Sequence, residues 1–313
     1  MKKMLFIYNP HAGKEAIKSK LSDIIELFVG ADYEVTIFST RQKRDATRIV
    51  KEKGANYDYI VCSGGDGTLN EVVDGLMMLK KRPPCGYMPA GTVNDFASSL
   101  KIPKGIMAAA KNVIEGYPFA YDIGSLNGDH FNYVAAFGAF TQVAYETPQS
   151  FKNVFGKLAY LMDGAMCLSN LESYHIKVRH DGGVVEGNFM FGMVTNSNSV
   201  AGLKGLTGRN VKLNDGLFEV ILIKQPTNVM ELQIIINGLL MREHDDIHLY
   251  SFRASHIELV SEEEISWTVD GEYGGAYKEV VIENHQEAVQ FVCPKGKPEK
   301  KLLSLAKESS DKK

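Results

Sequence analysis

The stretch SGGDGTLNE, residues 63–71, sets three glycines around a carboxylate, Asp66. Glycine at this density lets a backbone approach an anion closely enough for its amides to donate hydrogen bonds. The stretch follows an apolar run, YDYIVCSG, and precedes Leu69, Val72, Val73, Leu76 and Leu79 at helical spacing. Strand, glycine turn and helix in that order leave the first-turn amides of the helix without intrahelical acceptors, at the positive end of its dipole. A phosphate fits that site, yet Asp66 would repel a bare one. A carboxylate among amide donors suits instead a polyphosphate that arrives with magnesium, because it can hold the metal or its water shell.

Three further loops carry candidate chemistry: NPHAGK (9–14), PAGTVNDFA (89–97) and WTVDGEYGG (267–275). Phosphoryl transfer needs positioned phosphates, a metal and a carboxylate near the attacking hydroxyl, and these loops offer candidates for each. Asp270 and Glu272, two apart, would share a face of a strand, while Gly271 signals a turn that separates them. Either could accept the proton. Asp-Gly is also the commonest hairpin signal, so VDGE taken alone is a turn, as is NDG at 214–216. The common nucleotide fingerprints are absent: there is no GxxxxGK[ST], no GxGxxG after a strand, and no protein-kinase HRD or DFG set.

The elements that must position these loops change character along the chain. KMLFIY (3–8), EVTIFST (34–40) and YDYIVCSG (57–64) are predicted strands and CGYMPAGT (85–92) a fourth strand and loop, with helices between them and a helix near 43–53 closed by Gly54 as C-terminal cap. PFAYDIGSL (118–126) follows two more helical pieces. This order predicts a doubly wound, parallel α/β domain over residues 1–125, with ligands at the carboxyl ends of the strands. Residues 126–293 read as an antiparallel β-sandwich packed beside the first domain, with turn signals between strands and helices near 156–169 and 227–241. Residues 294–313 are a basic tail, expected to pack back on the first domain or to be disordered.

Composition narrows the classes. A 313-residue chain with 44% hydrophobic residues, net charge -3 and pI about 6.3 carries no global basic field for nucleic acid. Cys62, Cys85, Cys167 and Cys293 have no metal-site spacing and read as buried thiols of a reducing compartment. The apolar start ends at Asn9-Pro10, too short for a signal peptide, and no apolar run approaches the roughly 18 residues of a membrane span. Seven lysines against three acids in residues 295–313 suit an anionic membrane surface. His11 reads as solvent-facing.

GGDGTLNEV with AGTVNDFA, an early NPHAGK and a late VDGE resembles the bacterial diacylglycerol kinase family, whose catalytic domain is shared with sphingosine and ceramide kinases. The resemblance reaches to about residue 293. It implies ATP- and Mg2+-dependent phosphorylation of a lipid hydroxyl, most of all that of diacylglycerol. It implies an ATP site at Asn9, Lys14, Thr40, Gly64, Gly65, Asp66, Gly67, Thr68, Leu69, Asn70 and Thr92. Asp66, Asp95 and Asp122 match acids that organise the catalytic magnesium, and Lys212, Asp215 and Leu217 match a structural magnesium site. Asp270 and Glu272 match the catalytic carboxylates. Val93 stands where relatives carry a small residue. Expected partners are a lipid substrate, a peripheral membrane surface and, as one option, a second copy in a homodimer, with no nucleic acid. The expected location is cytoplasmic, peripheral to the inner membrane face. A GGDGT loop also resembles NAD kinase and phosphofructokinase, so an NAD kinase-like small-molecule kinase, or a non-catalytic lipid- or nucleotide-binding protein, is the alternative.

Overall fold

The computed structural model describes residues 1–13, 16–91, 94–138, 172–197, 199–200, 203–204, 211–241 and 247–295. The helix expected near 156–169, Cys167, Val93 and all but the first two residues of the basic tail lie outside them. Strands β1 (Lys2–Tyr8), β2 (Tyr33–Ser39), β3 (Tyr59–Gly64) and β4 (Cys85–Pro89) pair in parallel in the order β2-β1-β3-β4. Alternate residues of β1 face opposite ways, and both faces are covered. Met4 and Phe6 pack with Ile17, Ile24 and Phe28 of α1 (Ala16–Gly30) and with Ala109, Ala110 and Val113 of α5 (Ile106–Glu115). Leu5 and Ile7 pack with Ala46, Ile49 and Val50 of α2 (Asp45–Lys53) and with Leu69, Val72, Val73 and Leu76 of α3 (Asp66–Met77). A short α4 (Asp95–Ser99) follows β4.

Gly54 closes α2 for a different reason from the one its sequence position suggests. Its φ is -55°, ordinary right-handed geometry, and the chain continues through a 3-10 turn over Gly54–Asn56. A Cβ there would lie 3.0–3.2 Å from side-chain carbons of Leu79, Ile60 and Val50, so the glycine serves close packing.

The second half contains β5 (Tyr117–Leu126), β6 (Asp129–Phe131), β7 (Val134–Gly138), β8 (Tyr174–His180), β9 (Gly183–Thr195), a small β10–β11 pair (Ser199–Val200, Leu203–Lys204), β12 (Phe218–Lys224), helix α6 (Val229–Met241), β13 (Leu249–Ala254), β14 (His256–Val269) and β15 (Glu272–Cys293). Apart from β10–β11, every described strand belongs to one hydrogen-bonded network, so the chain is a sheet-rich mixed α/β fold. The link is β15. Its end pairs with β4 in parallel through Phe291 and Cys85, while along its length it pairs antiparallel with β5 and β14. The strand PFAYDIGSL, grouped by its sequence position with the parallel strands, therefore runs antiparallel to β15, because the last strand of the chain fills the place beside β4. Phe96, Tyr121 and Phe291 meet there with ring centroids 4.8–5.6 Å apart, joining α4, β5 and β15 in the shared core. A second core gathers Trp267, Phe137, Phe131, Phe189 and Phe218 among the antiparallel strands. No helix of the described residues is long and apolar enough to cross a membrane.

Candidate active site

The ends of β1, β3 and β4 bring three of the four loops together. The Asn9 amide donates to the Ser63 carbonyl at 2.9 Å, its side chain reaches Thr68 Oγ1 at 3.3 Å, and the Ala90 amide donates to the Gly64 carbonyl at 2.8 Å. Gly65, extended at φ -82° and ψ -178°, caps α3 without a side-chain bond, so the first-turn amides of α3 have no acceptor within the helix. A cleft of about 650 Å³ opens here. Asn9, Thr40, Gly65, Gly67, Thr68 and Asn70 line one wall, and Asp270, Glu272 and Tyr273 line another.

The 40–44 loop forms the rim. Both oxygens of Glu71, the last residue of SGGDGTLNE, accept first-turn amides of the neighbouring helix α2, from Arg44 at 2.7 Å and Ala46 at 3.1 Å. That clamps the loop against α3 and leaves Arg41, Lys43 and Arg44 exposed at the cleft mouth.

The turn between β14 and β15 separates the two carboxylates of VDGE. Val269 pairs with Glu272, leaving Asp270 and Gly271 as a two-residue loop with φ of +50° and +85°, the type I′ pattern that matches strand twist. Asp270 is turned inward. Its oxygens accept the amides of Asn132 at 2.6 Å, Tyr133 at 3.0 Å and Val134 at 3.1 Å, and Asn70 donates to it at 3.3 Å. Burial pushes its carboxyl up to about 6, against those same hydrogen bonds, which favour the ionised form. Glu272 faces the cleft. Its side chain is 65% exposed, 3.7 Å from Lys43 Nζ, and its Oε1 lies 2.8 Å from where a Cβ on Gly67 would be. The absence of a Cβ at 67 leaves the room in which the carboxylate reaches the first turn of α3. Gly67→Ala is expected to keep or slightly raise the melting temperature, since alanine favours helix by up to about 1 kcal/mol. It is expected to lower turnover by about 10²-fold through displacement of Glu272. Melting and steady-state assays on one preparation check both halves.

The other expected site residues divide. Asp66 begins α3 but does not line the cleft; the buried Tyr87 hydroxyl beside it donates to the Gly64 carbonyl at 3.2 Å, and burial and then the Asp66 charge push that hydroxyl well up. Leu69 has its side chain in the core, so only its backbone is available to a ligand. Asp95 begins α4, but its side chain, like Lys14 and Thr92, lies outside what is described. Asp122 is fully buried and does not line the cleft. Its oxygens accept the amides of Gly216 and Glu287, both at 2.7 Å, tying the 213–217 turn to β15. His11 is exposed on the cleft rim, its amide held by Asn9 Oδ1 at 2.9 Å.

Lys212, Asp215 and Leu217 share one turn and are not among the residues lining the cleft. Asp215 Oδ1 accepts the Leu217 amide at 3.3 Å, and Oδ2 meets Arg253, whose Nε is 3.4 Å from Glu219 Oε1. Burial pushes the Glu219 carboxyl up to about 7, Arg253 opposes the shift and Asp215 adds to it. The native state thus holds a proton that the unfolded chain releases near 4.5. This stabilisation is full below pH 4.5 and is lost as pH rises through 7. Glu219→Gln is expected to flatten the fall of unfolding free energy between pH 5 and 8 by up to about 3 kcal/mol, read by urea titration.

Arg41, Lys43, Arg44, Asp74 and His130 also line the cleft without having been found in the sequence. Asp74 was within reach, since Gly67, Asn70 and Asp74 continue one face of α3. No local signal marked the other four.

Comparison with known proteins follows the same outline. Residues 3–126 match the family model described as the diacylglycerol kinase catalytic domain. The chain is 36% identical over 302 residues to a diacylglycerol kinase of Bacillus subtilis (strain 168), covering 96% of this chain and 99% of that one. It is 37% identical over 276 residues to a diacylglycerol kinase of Staphylococcus aureus (strain NCTC 8325 / PS 47), covering 88% and 87%. A crystal structure of a diacylglycerol kinase from Bacillus anthracis str. Sterne superposes with a TM-score of 0.74 at 26% identity, over 94% of this chain and 97% of that one.

Proposed function

The chain belongs to the bacterial diacylglycerol kinase family of lipid kinases, and from that premise we propose that it transfers the γ-phosphoryl group of ATP to a lipid hydroxyl, diacylglycerol being the acceptor and phosphatidic acid the product. The observation that carries this reading is the placement of Glu272 against Gly67: one carboxylate reaches the helix turn whose amides suit phosphate. The lipid hydroxyl oxygen bonds to the γ-phosphorus as the bond to the β-phosphate oxygen breaks, ADP leaves, and the hydroxyl proton passes to Glu272. Of the two VDGE acids, Glu272 suits the proton acceptor, because Asp270 has its lone pairs directed at three amides and Asn70. Asp270 is a positioning residue that sets the turn carrying Glu272.

The triphosphate lies between the loop at Gly64–Thr68 and the rim at 40–44, where Lys43 and the two arginines offset its charge. Magnesium, when bound, offsets charge on the phosphate oxygens. Asp66 fits that role, a hard oxygen donor at the head of α3 between the cleft-lining Gly65 and Gly67, whereas Asp122 is committed to the 216 and 287 amides. A structural magnesium at Lys212, Asp215 and Leu217 suits the oxygen donors of that turn but shares Asp215 with Arg253, and no step runs through it. The protein acts at the cytoplasmic membrane face, docking peripherally.

The deciding assay supplies γ-labelled ATP and magnesium with diacylglycerol in mixed micelles, and NAD in a parallel tube. Label is expected in phosphatidic acid. Label in NAD and in no lipid overturns the proposal.

A further inference from the structure

We propose that Asp74 and His130 form the acceptor-binding pair of the cleft, recognising a second oxygen of the lipid further along its body from the reacting hydroxyl; the inference rests on the lipid-kinase reading above. Both residues line the cleft. His130 Nδ1 is 3.1 Å from Asp74 Oδ1, and since a carboxylate only accepts, Nδ1 carries the proton. Nε2 is then the atom left for an oxygen of the ligand. Among the described residues Nε2 has no hydrogen-bond partner; the ring meets His285 edge-on, at 5.8 Å between centroids, and His285 is itself tied to Ser125 Oγ at 3.0 Å. The side chains of His130 and Asp74 are 20% and 31% exposed, neither sealed in the core nor left on the open surface.

Their position assigns the role. Gly67, Asn70 and Asp74 lie along one face of α3, so at about 1.5 Å per residue Asp74 sits roughly 10 Å beyond Gly67 along the axis. Its side chain tilts back toward the helix N-terminus, which shortens that gap. Between the ends, Asn70 donates to Asp270 at 3.3 Å and to the His130 carbonyl at 3.1 Å, fixing the hairpin of β5 and β6 to the turn that carries Glu272. Donor chemistry occupies the Gly67 end. A lipid whose hydroxyl reaches Glu272 and whose body runs along α3 therefore brings an oxygen further along that body to His130. Asp74 acts as the positioning residue that holds the ring.

The test compares two acceptors in mixed micelles, diacylglycerol and a long-chain primary alcohol that has no second oxygen. For His130→Ala the acceptor KM for diacylglycerol is expected to rise about tenfold, with KM for ATP unchanged and with no change for the alcohol. Asp74→Asn is expected to show a smaller rise of the same pattern, and His130→Gln, which keeps a polar tip, to recover part of the loss. Diacylglycerol KM within twofold of wild type in both His130→Ala and Asp74→Asn overturns the inference, as does an equal loss with the two acceptors. A wild-type enzyme that labels no lipid overturns the lipid-kinase reading itself, and this inference with it.

Discussion

Glu272→Gln is expected to lower turnover by about 10²- to 10⁴-fold, the range a positioned general base contributes, while the melting temperature stays at the wild-type value. The amide keeps the length of the side chain and its contact with Gly67 but cannot take a proton. The fold loses little, because the side chain is 65% exposed and its partner Lys43 is 81% exposed. An ion pair that open contributes no more than about 1 kcal/mol. The loss falls on kcat, since KM for ATP depends on the loop amides and the basic rim. Single-turnover transfer from labelled ATP, beside a thermal melt, reads both quantities. Turnover within threefold of wild type would move the proton acceptor to another group.

Asp270→Ala is expected to show the opposite balance, with a destabilisation of about 3–5 kcal/mol that carries the activity away with it. Three backbone amides and the Asn70 side chain lose their acceptor together. The substitution also forces alanine to a φ of +50°, which costs a further 1–2 kcal/mol or so. Asp270→Asn separates the two effects. Asparagine tolerates the left-handed backbone, but one oxygen becomes an amide nitrogen facing the donors of 132–134, at a cost of about 1–3 kcal/mol. Urea midpoints are expected in the order wild type, Asn, Ala. An Asp270→Ala protein as stable as wild type yet inactive would return Asp270 to the chemistry itself.

The loops that matter were legible because local backbone chemistry announces them. Glycines between an apolar run and a helical repeat leave few conformations open, and β1 to β4 fall within about two residues of where their apolar runs place them. Asp270-Gly271 was legible as a turn for the same reason, and the resemblance of four ordered motifs added the family. Long-range pairing was not legible. Nothing in PFAYDIGSL says that a strand more than 150 residues later will lie between it and β4, because β propensity is local while a sheet neighbour is chosen by the whole fold. Gly54 is the cap of α2 as read, but the need for glycine there comes from Leu79, Ile60 and Val50, close contacts that only packing creates.

The sequence by itself determined that a glycine turn joins a strand to a helix at 63–71, that VDGE is a hairpin corner, and to which family the chain belongs, since each depends on residue types at short fixed spacing. The tertiary structure alone decided what the acids do. Two carboxylates two residues apart became an inward anchor and an outward base candidate because a type I′ turn faces them apart. Asp122 went to the 213–217 turn because its burial requires amide partners, and those of Gly216 and of Glu287 on the paired strand β15 are the ones the fold brings to it. Asp74, His130, Lys43 and Glu272 came to share one cleft because three sheet ends and a hairpin meet above α3, and no local spacing records that meeting.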